Sequence, residues 1–322
     1  MTTYNKSKAL SSHDIATVTI AGCFNNFLDG SQPNLTLRRG TPFPNKEDVE
    51  RPTERFEILK ISPVALRPTV NDLDRPSGDK LHAHLLLGET PIAQGEFGII
   101  LEANIDFSSS SPELARMKFP PLVAKVCRPR KYYKIPREAF YYEYLESLQG
   151  SVIPRYYGLF QVTIPEGVAF KYWPVEKSRI DSFELETYCE DSDDEDHIAY
   201  PRLLTLLLLE LLGDPPSHRT TMDALESLKS QAFDMFSELS HFRIKHGNIH
   251  AHNIVMAAPR LPDFPNLPSP RHQRTYDWRL IDFSLARKTD IPEYVMLIEA
   301  RECLDSWLDD VEMDIRIAST KE

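Results

Sequence analysis

Residues 246–253 read His-Gly-Asn-Ile-His-Ala-His-Asn, and this stretch decides how the rest of the chain is interpreted. It follows a predicted long helix that Thr221 can cap and in which apolar residues recur at alternating steps of three and four. Farther along, Asp282 comes directly after a short apolar run that is predicted to be a strand. An asparagine and an aspartate brought together at strand-end loops can bind a magnesium ion through oxygen atoms. Asn253 and Asp282 are therefore candidate metal ligands.

A glycine-containing turn is predicted upstream, between strands over residues 85–92 and 99–105. Residues 93–100 read Ala-Gln-Gly-Glu-Phe-Gly-Ile-Ile. Because glycine allows backbone N–H groups to approach phosphate oxygens closely, this turn is a candidate phosphate loop, with an ordinary hairpin turn as the alternative. The candidate binding residues are Ala93, Gly95, Gly98 and Ile100.

Lys125 lies in the third predicted strand, over residues 122–127. A buried ammonium group needs an anionic partner. Glu138 could supply it from the helix that is predicted to start near Pro136, with Glu143 as the alternative, and a phosphate could share the lysine. A lysine that extends from a strand end into solvent is the competing interpretation.

The apolar run over residues 203–212 is too short to span a bilayer and contains a glutamate, so we predict a fully buried strand. The backbone of the linker that follows it could bond the edge of an adenine ring. The candidate residues there are Leu209, Glu210 and Leu212.

Composition limits the class of protein. The 322 residues carry a net charge of −11 and are 41% hydrophobic, which supports one or two packed cores and excludes wholesale disorder. An acidic balance argues against nucleic acid as a partner, because such binders need a basic face. Four widely separated cysteines form no Cys-x-x-Cys pair, and the start of the chain lacks a signal-peptide pattern. We expect no membrane partner and an intracellular location, cytoplasmic or nuclear.

The order of strands, one helix, further strands and then helices predicts an α+β fold in two lobes. Residues 1–80 are expected to be an extension packed loosely on the main domain, residues 81–212 the first lobe and residues 213–322 the second. Within the first lobe, residues 184–196 form an acidic insertion, predicted to be a solvated loop; a docking site for a basic protein partner is the alternative. Residues 259–270 are rich in proline and predicted to be an exposed loop.

Taken in order, these elements resemble the protein-kinase-like superfamily over roughly residues 85–290. The sequences of residues 246–253 and 148–155 especially resemble those of small, divergent fungal-type kinase-like proteins. Those proteins in turn resemble aminoglycoside-phosphotransferase-like enzymes. The resemblance implies a two-lobed fold with a mostly antiparallel N-lobe sheet and a short, mainly helical C-lobe. It also implies ATP and Mg²⁺ as cofactors.

The resemblance implies a role for each element that could contact the nucleotide. The glycine turn would cover the phosphates, and Lys125, held by Glu138, would touch the α- and β-phosphates. Leu209 would be the gatekeeper, and residues 210–212 would form the hinge.

The resemblance also assigns the metal site. Asn253 and Asp282 would hold magnesium, and Phe283 would pack beneath the helix that bears Glu138.

The chain departs from the family at one position of its catalytic loop. The family pattern is His-x-Asp-x-x-x-x-Asn, and Asn248 occupies the aspartate position. An amide can orient a substrate hydroxyl but cannot accept its proton near neutral pH, and a general base contributes about 10²–10⁴-fold in rate. We therefore expect a pseudokinase that binds ATP and Mg²⁺. His250 could contact the γ-phosphate, or it could replace the missing base, since imidazole titrates near neutrality.

Three other interpretations stay open at the level of sequence. The chain could be an active, atypical phosphotransferase that moves the γ-phosphate of ATP to a protein Ser/Thr or to a small hydroxyl compound. It could be a metal-dependent hydrolase in which His246, His250 and His252 bind zinc. It could also be an interaction module built on the acidic and proline-rich loops.

Overall fold

The computed structural model describes residues 15–43, 81–95, 98–107, 119–127, 134–173, 203–217, 219–259 and 261–319. The acidic insertion at 184–196 lies outside the described residues. The chain divides into two compact units, and each is described by itself. The first unit falls within Met1–Thr41, Asp79–Pro136 and Tyr157–Leu209, and the second within Pro42–Gly78, Arg137–Tyr156 and Glu210–Glu322. Residues 137–156 group with the C-terminal part of the chain in this division.

The described residues contain both strands and helices. The strands are β1 (Ile15–Ile20), β2 (Phe24–Asn26), β3 (Leu35–Arg39), β4 (Leu81–Gln94), β5 (Gly98–Asp106), β6 (Leu122–Cys127), β7 (Tyr156–Thr163), β8 (Val168–Phe170), β9 (Leu203–Glu210), β10 (Ile244–Lys245), β11 (Ile254–Met256), β12 (Trp278–Leu280) and β13 (Arg287–Lys288). The helices are α1 (Lys134–Tyr144), α2 (Met222–His241) and α3 (Glu293–Ser319).

The first unit is built on a closed barrel with the strand order β1-β3-β7-β9-β6-β5-β4. The pairs β1–β3, β3–β7, β4–β5 and β5–β6 are antiparallel, whereas β1 and β4 run parallel, with Ile20 opposite Leu85. The predicted strands in 85–92, 99–105 and 122–127 are confirmed, with β4 longer than expected. β9 is buried along nearly its whole length, as predicted from its unbroken apolar run.

The expectation of a loosely packed extension was wrong for residues 15–39. Strands β1 and β3 belong to the barrel, and Val18, Ile20 and Leu37 are completely buried in its core. The physical reason is visible in β3, where Leu35 and Leu37 point inward while the intervening threonine is exposed to solvent.

The second unit contains the long helix that the sequence predicts. Thr221 caps α2, since its Oγ1 accepts the backbone N–H of Ala224 at 3.2 Å. The predicted apolar stripe is buried, which confirms the periodicity; it consists of Leu225, Leu228, Ala232, Met235, Leu239 and Phe242. Within the described parts of the chain, no helix is long and apolar enough to cross a membrane.

The sequence predicts a last helix over roughly residues 293–314, with Val295, Ile298, Cys303 and Leu304 among its buried residues. Helix α3 is longer and turns a different face inward. Its buried stripe consists of Met296, Ala300, Leu304, Leu308, Val311 and Ile315. Leu304 is buried as expected, but Ile298 is 54% exposed and Cys303 is also exposed. The expectation for these two residues was wrong because apolar residues crowd the start of the helix and define more than one possible face. The N-terminal half of α2 is tied to α3 through Lys229, whose Nζ lies 2.6 Å from Glu312 Oε2.

The proline-rich excursion leaves the sheet after β11 and returns at β12. Arg279, in β12, is 1% exposed and fixes this excursion from inside. Its Nη1 donates to the carbonyls of Tyr276 and Trp278 at 2.9 and 2.8 Å, and its Nη2 donates to Gly150 O at 3.0 Å and Asn266 Oδ1 at 2.8 Å. Burial lowers the pKa of Arg279 to about 10, so the guanidinium stays charged at neutral pH.

Candidate functional site

The loop that carries residues 246–253 is pressed closely against the turn after Asp282. Gly247 has a φ of +79°, and a Cβ atom at this position would lie 2.3 Å from Leu285 O. Only glycine satisfies both the backbone conformation and the close approach. The loop is therefore fixed in place by its own backbone packing within the second unit.

Asn253 is oriented by its amide nitrogen. Its Nδ2 donates to Asn248 O at 2.9 Å and lies 3.2 Å from Nε2 of His250. Both hydrogens of the amide are thus directed into the loop, and the Oδ1 atom remains as the group that can bind a cation.

Asp282 follows the strand that pairs with the one after Asn253. Ile254 is the register partner of Leu280, and the N–H of Ile281 donates to Asn253 O at 3.0 Å. The two candidate metal ligands therefore flank the same end of the β11–β12 pair. Asp282 adopts a left-handed backbone conformation with φ 62° and ψ 70°, which for a non-glycine residue costs roughly 1–3 kcal/mol and is concentrated at functional positions.

Four aromatic rings connect this loop to α1 within the second unit. The ring centroid of Phe283 lies 4.8 Å from that of His246 and 5.3 Å from that of Tyr142. Tyr142 in turn stacks on Tyr156 at 6.0 Å. The expected packing of Phe283 against the helix that bears Glu138 is confirmed by its contact with Tyr142.

Tyr142 is a functional candidate that the sequence analysis missed. Its hydroxyl donates to Glu138 Oε1 at 3.3 Å. Burial raises its pKa well above the ordinary value, and the charges of Glu138 and Asp282 raise it further, while a backbone hydrogen bond from Asp282 opposes them. The phenol therefore stays protonated and holds Glu138 in place. The sequence spacing could have identified Tyr142, because it lies four residues after Glu138 and therefore on the same face of the helix.

His246 is buried and neutral. Its Nε2 lies 2.9 Å from Ile281 O, to which it donates. Burial lowers its pKa from 6.5 to about 4, and the carboxylate of Asp282 only partly opposes this effect. A neutral imidazole carries one N–H group, and in His246 this group donates to the carbonyl of Ile281.

We expect this histidine to make stability fall as the pH is lowered. Between pH 6.5 and 4 the unfolded chain binds a proton at His246 that the folded chain does not, so the free energy of unfolding decreases as the pH falls through this window. The full loss is about 3 kcal/mol. Urea unfolding at pH 7 and pH 4 measures it. His246→Gln should shrink the difference, His241→Gln should not, and an unchanged difference in His246→Gln would contradict the assignment.

The environment of His250 also favours its neutral form. Burial lowers its pKa, the charge of His252 lowers it further, and Asp282 opposes both. The rings of His250 and His252 are 5.7 Å apart. Among the described residues, no three His, Cys, Asp or Glu side chains form a group that could hold a metal ion, so the zinc alternative gains no support.

The candidate phosphate loop lies in the first unit, between β4 and β5. The N–H of Gly95 donates to Gly98 O at 2.9 Å and closes the turn. A Cβ at Gly98 would lie 2.2 Å from Val126 O, so the sheet itself requires glycine there. A Cβ at Gly95 would meet no described atom within 4 Å. Of the two glycines, Gly95 is therefore the one that strand packing does not explain.

Lys125 lies in β6 directly opposite Ile100, so two of the predicted binding residues are cross-strand neighbours. Its chain neighbours Ala124 and Val126 are completely buried on the other face of the strand, whereas Lys125 is half-buried. Ala93, near the end of β4 and opposite Ile100 on the other side of β5, is exposed. Glu138 belongs to the other unit, and its pairing with Lys125 stays a prediction. The alternative partner, Glu143, accepts the hydroxyl of Tyr156 at 3.1 Å.

The side chain of Glu210 has a structural partner. Its Oε1 lies 2.6 Å from Arg155 Nη1, and its Oε2 accepts the N–H of the same arginine at 3.1 Å. Glu210 is 3% exposed, so this is a buried, charge-assisted pair. Leu209 is buried and Leu212 half-buried. Any contact of residues 210–212 with an adenine ring is therefore left to their backbone groups.

The chain matches no protein-family model and no curated protein. The functional conclusion therefore depends on the residues and their geometry.

Proposed function

We propose that this chain is a kinase-like protein of two-lobed α+β fold that binds ATP with Mg²⁺ and has a degenerate catalytic loop. The observation that carries the proposal is the placement of Asn253 and Asp282 at one end of the β11–β12 pair, with the amide nitrogen of Asn253 turned into the loop. Two oxygen ligands arranged in this way suit magnesium, which keeps several waters and binds one or two protein groups together with phosphate oxygens.

The chemistry assigned to each residue follows from its groups. Lys125 supplies a positive charge for the phosphates, and the absence of a side chain at Gly95, whose N–H is bonded to Gly98 O, lets a phosphate approach the turn closely. Asn253 and Asp282 hold the metal ion, which would neutralise charge on the phosphates when it is bound. Asn248 can orient a hydroxyl but cannot take its proton, so the proposal is a pseudokinase rather than an efficient enzyme. An intracellular location, where ATP and Mg²⁺ are available, is part of the proposal.

Calorimetric titration of ATP, with and without Mg²⁺, tests the proposal. We expect saturable binding that requires Mg²⁺, and at least a tenfold loss of affinity in Asp282→Ala and in Lys125→Ala, or about 1.4 kcal/mol. Asp309→Ala is the matched control, because Asp309 is an exposed carboxylate on α3, far along the chain from both candidate elements. No heat of binding at about 1 mM ATP, which corresponds to roughly −4.1 kcal/mol, would contradict nucleotide binding.

A second candidate function is supported by His250. An imidazole can accept a proton at Nε2 once the Asn253 amide releases that atom, and the charge of Asp282 raises the pKa of His250 against the effect of burial. The chain would then be an active, atypical phosphotransferase that moves the γ-phosphate of ATP to a protein Ser/Thr or to a small hydroxyl compound. Turnover that requires both His250 and Asp282 would favour this function over a pseudokinase.

A further inference from the structure

The proline-rich excursion repeats one pattern three times. A bulky apolar residue is followed by proline at Leu261-Pro262, at Phe264-Pro265 and at Leu267-Pro268, each pair three residues after the last; Ala258-Pro259 precedes them in the same register with a small side chain. A polyproline II helix has three residues per turn, so this spacing places equivalent residues on one face. The N–H of Phe264 donates to Leu261 O at 3.0 Å, which folds the first pair into a turn. The second and third pairs continue into residues 265–269, which form neither helix nor strand.

The backbone of this segment is fixed from one side by the second unit. Pro265 O accepts Nη2 of Arg155 at 2.5 Å. The side chain of Asn266 accepts Nη2 of Arg279 at 2.8 Å, and the N–H of Leu267 donates to Gly150 O at 2.9 Å. Three consecutive residues are thus bonded to the unit through polar groups, so the segment is ordered before any partner arrives.

The apolar groups of the same segment are exposed to solvent. Pro265 and Pro268 are exposed, and the side chain of Leu267 is 44% exposed. The rings of Pro265 and Pro268 and the side chain of Leu267 are not part of the buried core of the unit. Polar groups that fix the backbone and apolar groups that face water are what a displayed recognition segment requires, because order in the free state reduces the entropy lost on binding.

We propose that residues 264–268 are a docking segment for a protein domain that binds polyproline II segments in an aromatic-lined groove. Such grooves, in SH3, WW and EVH1 domains, accept proline-containing segments whose extended conformation is formed in advance. The two apolar-proline pairs, Phe264-Pro265 and Leu267-Pro268, fill two neighbouring positions of the groove. This proposal is independent of nucleotide binding, because none of its residues is assigned to the nucleotide or the metal ion.

The test uses the full chain and an array of purified SH3, WW and EVH1 domains, followed by titration of each domain that binds. We expect at least one domain to bind saturably, and the double variant Pro265→Ala/Pro268→Ala to lose at least tenfold in affinity, or about 1.4 kcal/mol. Leu267→Ser, a change at a single exposed side chain, should lower the affinity of the same domain for the chain. Pro259→Ala is the control, since Pro259 is exposed and shares the three-residue register but lies outside residues 264–268.

Two outcomes would overturn the proposal. One is the absence of binding by every domain of the array at about 1 mM, the limit that corresponds to roughly −4.1 kcal/mol. The other is equal binding by the wild type, the double variant and Leu267→Ser, which would place any contact elsewhere on the chain. Thermal unfolding of each variant verifies that these exposed substitutions leave the fold intact.

Discussion

On the proposed function, replacing Asn248 with aspartate is expected to raise the rate of phosphoryl transfer by about 10²–10⁴-fold, the contribution of a positioned general base. The substitution exchanges an amide for a carboxylate of nearly the same shape. The side-chain amide of Asn253 donates to the backbone carbonyl of residue 248, and this bond does not involve the side chain of residue 248, so the orientation of Asn253 should persist. Only the ability to accept a proton changes.

The measurement is transfer of labelled γ-phosphate from ATP in the presence of Mg²⁺, both to water and to the protein itself. Asn248→Ala serves as the control, because it removes the amide without adding a base. Asp282→Asn in the Asn248→Asp background should return the rate to its original level, since the metal ligand is lost. A rate that does not rise in Asn248→Asp, although ATP still binds, would show that position 248 is not the site of the missing base.

Replacing Arg279 with methionine is expected to lower the free energy of unfolding by about 3–5 kcal/mol, the range for removing one partner from a buried charged network. Methionine fills much of the space of the arginine stem but donates no hydrogen bonds. The carbonyls of Tyr276, Trp278 and Gly150 would lose their guanidinium donor inside the unit. Each buried acceptor left without a partner adds to the cost.

Urea unfolding monitored by Trp fluorescence measures this loss. Arg274→Met is the matched control, because the side chain of Arg274 is 45% exposed and pairs with Asp234 at the surface. Exposed pairs of this kind contribute up to about 1 kcal/mol. Equal effects of the two substitutions would mean that the buried network does not stabilise the unit.

Local pattern in the sequence was sufficient for the elements that are stabilised locally. The unbroken apolar run of β9 and the stripe of α2 from Leu225 to Phe242 predicted their structure because burial follows directly from their periodicity. The place of β1 in the barrel could not be predicted in this way. Its parallel partner begins at Leu81, and such distant pairing leaves no local trace in either strand.

The candidate site was predictable in its residue types but not in its supporting contacts. The spacing within residues 246–253 pointed to Asn253, yet the bond from its Nδ2 to Asn248 O depends on how the loop folds. Tyr142 could have been found from its helical spacing to Glu138. Arg279 carried the same signal as Lys125, a charged residue within an apolar strand, but only the structure shows that its partners are carbonyl groups.

The closed barrel has a consequence for co-translational folding on the ribosome. Strands β1 and β3 can pair as soon as both are made, but the outer edge of β3 is completed only when Arg38 meets Gln161. At a synthesis rate of about 5–20 residues per second, that wait is on the order of ten seconds. During it the nascent hairpin presents unpaired edges that could template association between neighbouring chains on one messenger RNA. Closure of the barrel pairs these edges in the finished protein, so the risk of association through unpaired strands is confined to the period of translation.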